Sequence, residues 1–425
     1  MIRRLRGETS WDDYVKEIQD EEKKIAIIDD CTMDGLSREC RPAISMAEMC
    51  DVLQEQRFRK DSPVPNADIR RMCHALTRSA RYAPDITFIT SLCIADNASP
   101  LDKRVLAEFF QRHLTAEPVI DPRKLSDGDQ AFAFEYHYPH LVLRRGRGLL
   151  EDNRTTPGNK PLRSLTDITF LRDVAEDTEG LEMDYLYQAT TSCLVIGHHS
   201  LRWTAYMFTD TYFSVHDDTA MNEESMHLWS EERKESGRPD PFTFGETQAD
   251  TPLLNARDFW VNSAATRLRR VLQESSLAVS HICEKIDKHL LDNRALALPR
   301  SNSFKESKDD ASAHQDTAKK NIAARRNALT WLNEASLVVD EVMHSLRDNV
   351  TQLSLSDPII REMFCDGKSG RGNSRERHNI RNARAAEMAD LKRRLDRLVE
   401  RLIKMRARLD NRVKDAQKAV RRTSR

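Results

Sequence analysis

Residues 388–409 read MADLKRRLDRLVERLIKMRARL, and the spacing of the apolar positions in this stretch decides the architecture. Met388, Leu391, Leu395, Leu398, Leu402, Met405 and Leu409 step by threes and fours, the pattern of a helix that buries one stripe against another helix. Val413, Ala416 and Val420 resume the pattern after a four-residue step that leaves Arg412 out of the seam, as a stutter does. The pattern predicts one helix from about Arg375 to Arg425, roughly 75 Å long at about 1.5 Å per residue.

Two further stretches upstream carry similar stripes. After Thr251-Pro252, Leu268, Val271 or Leu272, Val279, Ile282, Ile286 and Leu290 predict a helix through about Asp292. A second runs from about Thr317 to Leu353 on Leu329, Leu332, Val339, Met343, Leu346, Val350 and Leu353, with Ser336 breaking the apolar rule and Ser356-Asp357-Pro358 ending it. Residues 294–316, rich in Ser, Asp and Lys, read as a linker. Narrow stripes of this kind cannot stand alone in water, so the helices pack on one another or on copies of themselves.

The earlier part of the chain has a different grain. Ile44–Arg57 and Leu101–Leu114 have helical spacing, whereas Ile25–Ile28, Ile86–Ile94 and Ala131–Leu143 have strand character. Leu165–Leu171, Tyr185–Gly197 and Leu201–Phe213 are the strongest strand segments. His198-His199-Ser200 separates the last two and is short enough for a hairpin, which predicts three neighbours in one sheet. Arg144–Arg163 and His216–Asp250 read as loops. The fold class is therefore α+β: a mixed α/β domain over residues 1–250, then three long helices forming an antiparallel coiled-coil bundle or stalk. Those helices divide into a helical hairpin over 251–365 and a basic stalk helix over 366–425.

The 67 basic and 68 acidic residues nearly cancel, but unevenly along the chain. Asp366–Arg425 holds 20 Lys+Arg against 8 Asp+Glu, a net +12, which leaves −13 for residues 1–365. A basic helix on an acidic body suits an anionic partner. Eight scattered cysteines without a Cys-x-x-Cys pair indicate reduced thiols; the basic residues after Met1 have no apolar stretch behind them, so a secretory signal is not expected, and no window approaches the roughly 18–20 apolar residues of a membrane span. The expected compartment is the cytoplasm, with the nucleus or the membrane periphery as alternatives.

Candidate chemistry is sparse. His198-His199 and His137-x-x-His140 lie on apolar segments, but adjacent residues of a strand point to opposite faces, so His198 and His199 cannot share an ion. Asp173, Glu176 and Asp177, with Glu179, Glu182 and Asp184, form an acidic cluster whose oxygens would suit a hard divalent cation such as Mg2+; a solvated loop is the plainer reading. There is no Gly-x-Ser-x-Gly elbow, and Gly146-Arg147-Gly148 lacks the rest of a phosphate cradle. The expectation is a protein that is not an enzyme and has no cofactor.

Two resemblances bear on function. Arg375–Ala386, with Asn382-x-x-Ala385-Ala386 ahead of the leucines, resembles a bZIP transcription factor, in which a basic helix forks from a zipper into the major groove. It departs from that pattern at Asp390, where an arginine is wanted, and at Met388 and Leu391, which already begin the seam. The segments Leu165-Thr-Asp-Ile-Thr-Phe-Leu-Arg-Asp173, Tyr187-Gln-Ala-Thr-Thr-Ser-Cys193 and Trp203-Thr-Ala-Tyr-Met-Phe-Thr-Asp-Thr-Tyr-Phe213 are similar to fungal proteins of the CorA-like magnesium transporter superfamily. So are Asp240–Gly245, Ala249–Pro252, Arg257-Asp-Phe259 and Arg267-Leu-Arg269. The resemblance implies an N-terminal α/β domain, long helices, a final stalk helix near Arg375 onward, and helical oligomerisation. Neither the transmembrane pair nor the Gly-Met-Asn motif of that family occurs in this sequence, so transport is not carried over. The expected function is helical self-association or docking to a helical partner, with weak divalent-cation sensing. The alternatives are a nucleic-acid binder using the basic helix, and a truncated transporter.

Overall fold

A computed structural model of the chain describes residues 26–32, 38–44, 69–77, 100–125, 131–146, 160–172, 183–199, 202–210, 255–292, 311–362 and 374–423, with a few single positions between them. The predicted helix over 44–57 lies outside the described residues except for Ile44, which ends a strand, and Glu48, which is helical; the strand over 86–94 and the loop over 216–250 lie outside them altogether.

The strands are β1 (Ala26–Thr32), β2 (Arg38–Ile44), β3 (Ile69–Thr77), β4 (Val119–Lys124), β5 (Phe132–Gly146), β6 (Leu165–Asp167), β7 (Met183–His199) and β8 (Arg202–Asp210). They form one sheet in the order β2-β1-β3-β8-β7-β5-β4, with β6 on β7. Every pairing is antiparallel except β3 with β8, which runs parallel from Arg70↔Trp203 to Thr77↔Asp210. β7 and β8 make the predicted hairpin, in one register from Thr191↔Thr209 to Gly197↔Trp203, with an irregularity before His199↔Arg202. β5 extends to Gly146, three residues into the segment read as a loop, because Arg144, Arg145 and Gly146 find partners on the longer β7. The strand expected over 165–171 stops at Asp167. The Asp167 carboxylate accepts the Thr169 N–H at 2.8 Å, which turns the chain into a 3-10 segment (Thr169–Leu171) and sends Ile168 and Leu171 into the core.

A proline sits in β5 just past the end of its pairing with β4. Pro139 faces Thr190 across the β5–β7 ladder and has no N–H to give. Side chains satisfy neighbouring backbone groups: the Pro139 carbonyl accepts Asn349 Nδ2 at 2.6 Å, and the Thr190 N–H donates to Asp210 Oδ2 at 2.9 Å. The facing of side chains changes phase here. Phe132, Phe134, Tyr136 and Tyr138 enter the main core, and beyond the proline Leu141 does, while Val142 joins Tyr185, Tyr187, Ala189 and Phe213 in a second cluster.

Four long helices are described with the sheet, three of them against it and the last on two of those helices. α1 (Pro100–Thr115) lies on one face, with Phe109 and Phe110 against Phe208 of β8. α2 (Ala256–Asp292) lies on the other, where Phe259 meets Trp203 and the Tyr136 hydroxyl hydrogen-bonds Ser263 Oγ at 2.7 Å. Its first half is buried on every side, from Asp258 to Leu268, because sheet and helices surround it. α3 (Ala311–Ile360) and α4 (Ser374–Thr423) complete the array. α3 starts earlier than its stripe predicts, and it passes Pro358 rather than ending before it. Burial of Leu353, Ser356 and Ile360 in its last two turns offsets the hydrogen bond that the proline deletes.

Ion pairs fix the directions of these helices. Asp258 pairs with Arg381, Arg269 with Glu387 and Asp287 with Arg408, so α2 and α4 run the same way. Arg325 donates to the Ala419 carbonyl and Arg406 pairs with Asp340, so α3 runs opposite to α4. The α4 stripe is spent within the chain: Met388, Leu391, Leu395, Leu402, Met405 and Leu409 are buried in the core shared with α2, α3 and the sheet, and Leu398 packs against its edge. Val399, outside the predicted stripe, is buried as well, because α4 faces two helices rather than one. The break at Ser336 is also explained, since its buried hydroxyl donates to the Leu332 carbonyl at 2.8 Å.

Candidate functional site

The densest polar arrangement among the described residues lies between α1 and the sheet. Tyr136 and Tyr138 face α2, so the intervening His137 faces α1, where its ring lies 5.0 Å from that of Phe109. Glu135, two residues earlier, shares that side. His113, in the last turn of α1, Ser192 of β7 and Asp210 of β8 converge on the same place. Ser192, His137, Glu135 and Asp210 are fully buried or nearly so.

Hydrogen bonding assigns the protons. Glu135 Oε2 accepts from Arg112 at 2.8 Å, and its Oε1 lies 2.6 Å from His137 Nε2, which must donate. Burial holds the His137 imidazole below its ordinary pKa despite Glu135, so the ring is neutral and its Nδ1 is bare. That nitrogen accepts the Ser192 hydroxyl at 2.6 Å. The Ser192 oxygen then accepts His113 Nδ1–H at 2.8 Å, and His113 Nε2 is left bare, without a hydrogen bond and 3.8 Å from Asp210 Oδ1. Burial depresses His113 well below the usual imidazole value; Asp210 pulls it up, and Arg163 and Arg154 push it down.

Asp210 is the anchor of this arrangement. It accepts from Arg154 Nη1 and Arg163 Nε, each at 2.7 Å, besides the Thr190 N–H. Burial alone would raise its carboxyl, but the two guanidiniums hold it well below the usual carboxylate range. Arg163 is 1% exposed, and it also closes the end of α1 by donating to the His113 and Leu114 carbonyls at 2.6 and 2.7 Å. Ala116 follows with a φ of 51°, the left-handed turn that lets the Glu117 N–H reach the Arg112 carbonyl. Arg154 is held in turn by a bidentate Asp152.

The Ser192–His137–Glu135 order is that of a hydrolytic triad. Its hydroxyl is 0% exposed and lies in a pocket of side chains walled by Phe109 and Phe208, so no carbonyl can approach it. The arrangement can hold α1 to the sheet and accept one proton at His113. His140, the other member of the His-x-x-His pair, turns away and hydrogen-bonds the Tyr138 carbonyl at 3.0 Å. Sequence reasoning passed over Glu135, His113, Ser192 and Asp210. The usable signal was Glu135 and His137 two apart on an otherwise apolar strand.

The residues singled out from the sequence fare differently. Asp173, Glu176 and Asp177 lie outside the described residues. Asp184, of the same acidic segment, is already engaged by Arg172, Arg145 and His281, which hold it below the carboxylate range against the opposing effect of burial. Among the described residues no three His, Cys, Asp or Glu side chains converge as a metal site would require. Cys193 and Cys283 are free and buried, and burial pushes the Cys193 thiol up to about 12, away from nucleophilic use. The bZIP resemblance loses its dimer seam, because Met388 to Leu409 are packed within the chain, and Arg381 and Arg384 are engaged by Asp258 and Glu387. No helix among the described residues is long and apolar enough to cross a membrane.

Neither a protein-family model nor a curated protein matches this chain.

Proposed function

We propose that this chain is a CorA-like α+β protein whose α2, α3 and α4 form an antiparallel coiled-coil array, and that it works by helical association with a second copy of itself. The observation that carries this reading is the end of α2. Near its end Asp287 pairs with Arg408, the His289 ring stacks on Trp331 and Leu290 packs against the core, and the helix stops at Asp292. α3 and α4 continue as a pair, tied by Arg325 and the Ala419 carbonyl, for about ten more residues of α4, or about 15 Å.

Burial of the seam changes at that point. Leu402, Met405 and Leu409 are buried, whereas Val413, Ala416 and Val420 of α4 and Leu329 of α3 are only partly buried. These are seam residues at seam spacing with no third helix beside them among the described residues, and a helix from another copy would complete the layer. The order of elements, with an α/β region before three long helices, supports the family resemblance as well. The buried Ser192 relay is, in this reading, a brace between α1 and the sheet, and the protein has no catalytic role.

Light scattering on the full chain tests the proposal. Val413→Glu combined with Val420→Glu places charges in the open seam and lowers the molar mass from oligomer to monomer, with helix content unchanged. A wild-type chain that is monomeric at tens of micromolar would overturn the reading. A mass unaffected by the two glutamates would place the contact elsewhere. A helical protein partner in place of a second copy would appear as a monomeric chain whose capture of that protein the glutamates abolish.

A further inference from the structure

The exposed surface of α4 is strongly cationic, beyond what its ion pairs within the fold use. Between Arg393 and Arg408 its exposed positions hold six cations, Arg393, Arg394, Arg397, Arg401, Lys404 and Arg408, against one carboxylate, Glu400. The last five of those cations follow each other at intervals of three and four, a line along one side of the helix, about 21 Å long. The inner cations are neutralised: Arg381 by Asp258, Arg384 by Glu387, Lys392 by Asp396 and Arg406 by Asp340 and Asp410. On this line Arg408 meets Asp287, Arg401 reaches the Ser280 hydroxyl at 3.4 Å and the Cys283 thiol without an ion pair, and Arg394, Arg397 and Lys404 have no ion-pair partner among the described residues. Like charges at this spacing weaken a helix by about 0.2–0.5 kcal/mol per pair. The core residues Leu391, Leu395, Leu402, Met405 and Leu409 hold the helix in place from its other side, so the cations are presented on a rigid support.

We infer that this line is a docking surface for the phosphate backbone of duplex nucleic acid. The charges match: a duplex carries one negative charge per ~1.7 Å of axis, so a straight row of five cations meets a continuous anionic ridge. A single strand would need aromatic side chains for its bases to stack on, and α4 contains no Phe, Trp or Tyr. A lipid surface would call for an apolar face beside the charges, and Ile403 is the only large apolar side chain exposed on this stretch. The contact uses the outer side of one helix and leaves the buried seam untouched, which distinguishes it from a zipper fork, and it does not depend on the association proposed above. It reads no sequence, because backbone contacts carry none.

Fluorescence anisotropy of a labelled mixed-sequence 20-base-pair duplex with the full chain tests the inference. Neutralising about four phosphates gives a slope of about −3.6 in log K against log salt, or roughly a hundredfold loss of affinity between 50 and 200 mM. Arg394→Glu, Arg397→Glu and Lys404→Glu together abolish binding, while the matched reversal Lys103→Glu with Arg104→Glu, on exposed positions of α1, leaves it unchanged. The neutral set Arg394→Gln, Arg397→Gln and Lys404→Gln makes the salt slope shallower by about 2.7 with circular dichroism unaltered. Absence of binding at 50 mM salt, or a salt slope that the glutamine set does not change, would overturn the inference. So would capture by vesicles of anionic lipid in the absence of capture by the duplex.

Discussion

Replacing Asp210 by asparagine keeps the shape of the side chain and removes the one charge that faces two buried guanidiniums. In the wild type each carboxylate oxygen accepts from an arginine at 2.7 Å, and Oδ2 also accepts the Thr190 N–H at 2.9 Å. An amide can accept at one atom only, and its NH2 group then points at a donor. Arg163, fully enclosed, keeps its two bonds to α1 carbonyls but loses its counter-charge. Breaking one side of a buried ion pair costs about 3–5 kcal/mol. Guanidinium unfolding followed by the fluorescence of the buried Trp203 and Trp260 reads this as a lowered midpoint at unchanged slope. The acid limb gives a second readout. Because the folded carboxyl is depressed, its contribution is complete above the unfolded value of about 3.9 and is lost as pH falls below it toward the folded value. Asp210→Asn therefore flattens the loss of stability below about pH 4. A loss smaller than about 1 kcal/mol, with an unchanged acid limb, would refute the claim that this carboxylate anchors α1, β7 and β8.

Other consequences follow from the same contacts. His113→Gln removes a neutral buried imidazole whose folded pKa is depressed, so the wild type gains stability as pH rises toward about 6.5 and the variant loses part of that slope; urea midpoints between pH 4.5 and 7.5 measure it. Asn349→Leu strands the Pro139 carbonyl and lowers stability by about 1–3 kcal/mol, whereas the exposed Leu337→Gln changes it by less than about 0.5 kcal/mol in the same denaturant series. Leu402→Ala opens a cavity where α4 meets the shared core and costs about 2–5 kcal/mol, against a near-neutral Ile403→Ala one position away on the exposed side; paired thermal melts distinguish them.

The helices and the β7–β8 hairpin were legible because each rests on local periodicity. Leu391 to Leu409 repeat at helical spacing, and Tyr185–Gly197 and Leu201–Phe213 are apolar runs on either side of a short polar break. The way the stripes were satisfied was not legible, since a three/four repeat is the same whether its partner is α2, α3 or another copy. The same limit hid Val399, which is buried only because α4 has two neighbours. Pro358 misled because its cost was weighed alone, without the burial of Ile360 beyond it. The buried site was still less legible. Its members come from residues 113, 135, 137, 154, 163, 192 and 210, and pairings across 79 residues, as between His113 and Ser192, leave no mark on spacing. Arg154 and Arg163 even sit in a stretch whose Gly, Pro and Arg content reads as loop, although it delivers the two cations that neutralise Asp210.

Association through the open end of the α3–α4 pair is the central claim, and cross-linking of mixed isotopic copies tests it most directly. Unlabelled and 15N-labelled full chains are mixed, treated with a lysine-reactive linker and analysed by mass spectrometry. Lys414 and Lys418 stand exposed beside Val413, Ala416 and Val420. The account predicts mixed-isotope links at these two lysines. Links formed only within one isotope, or mixed links confined to distant positions such as Lys103 of α1, would contradict it.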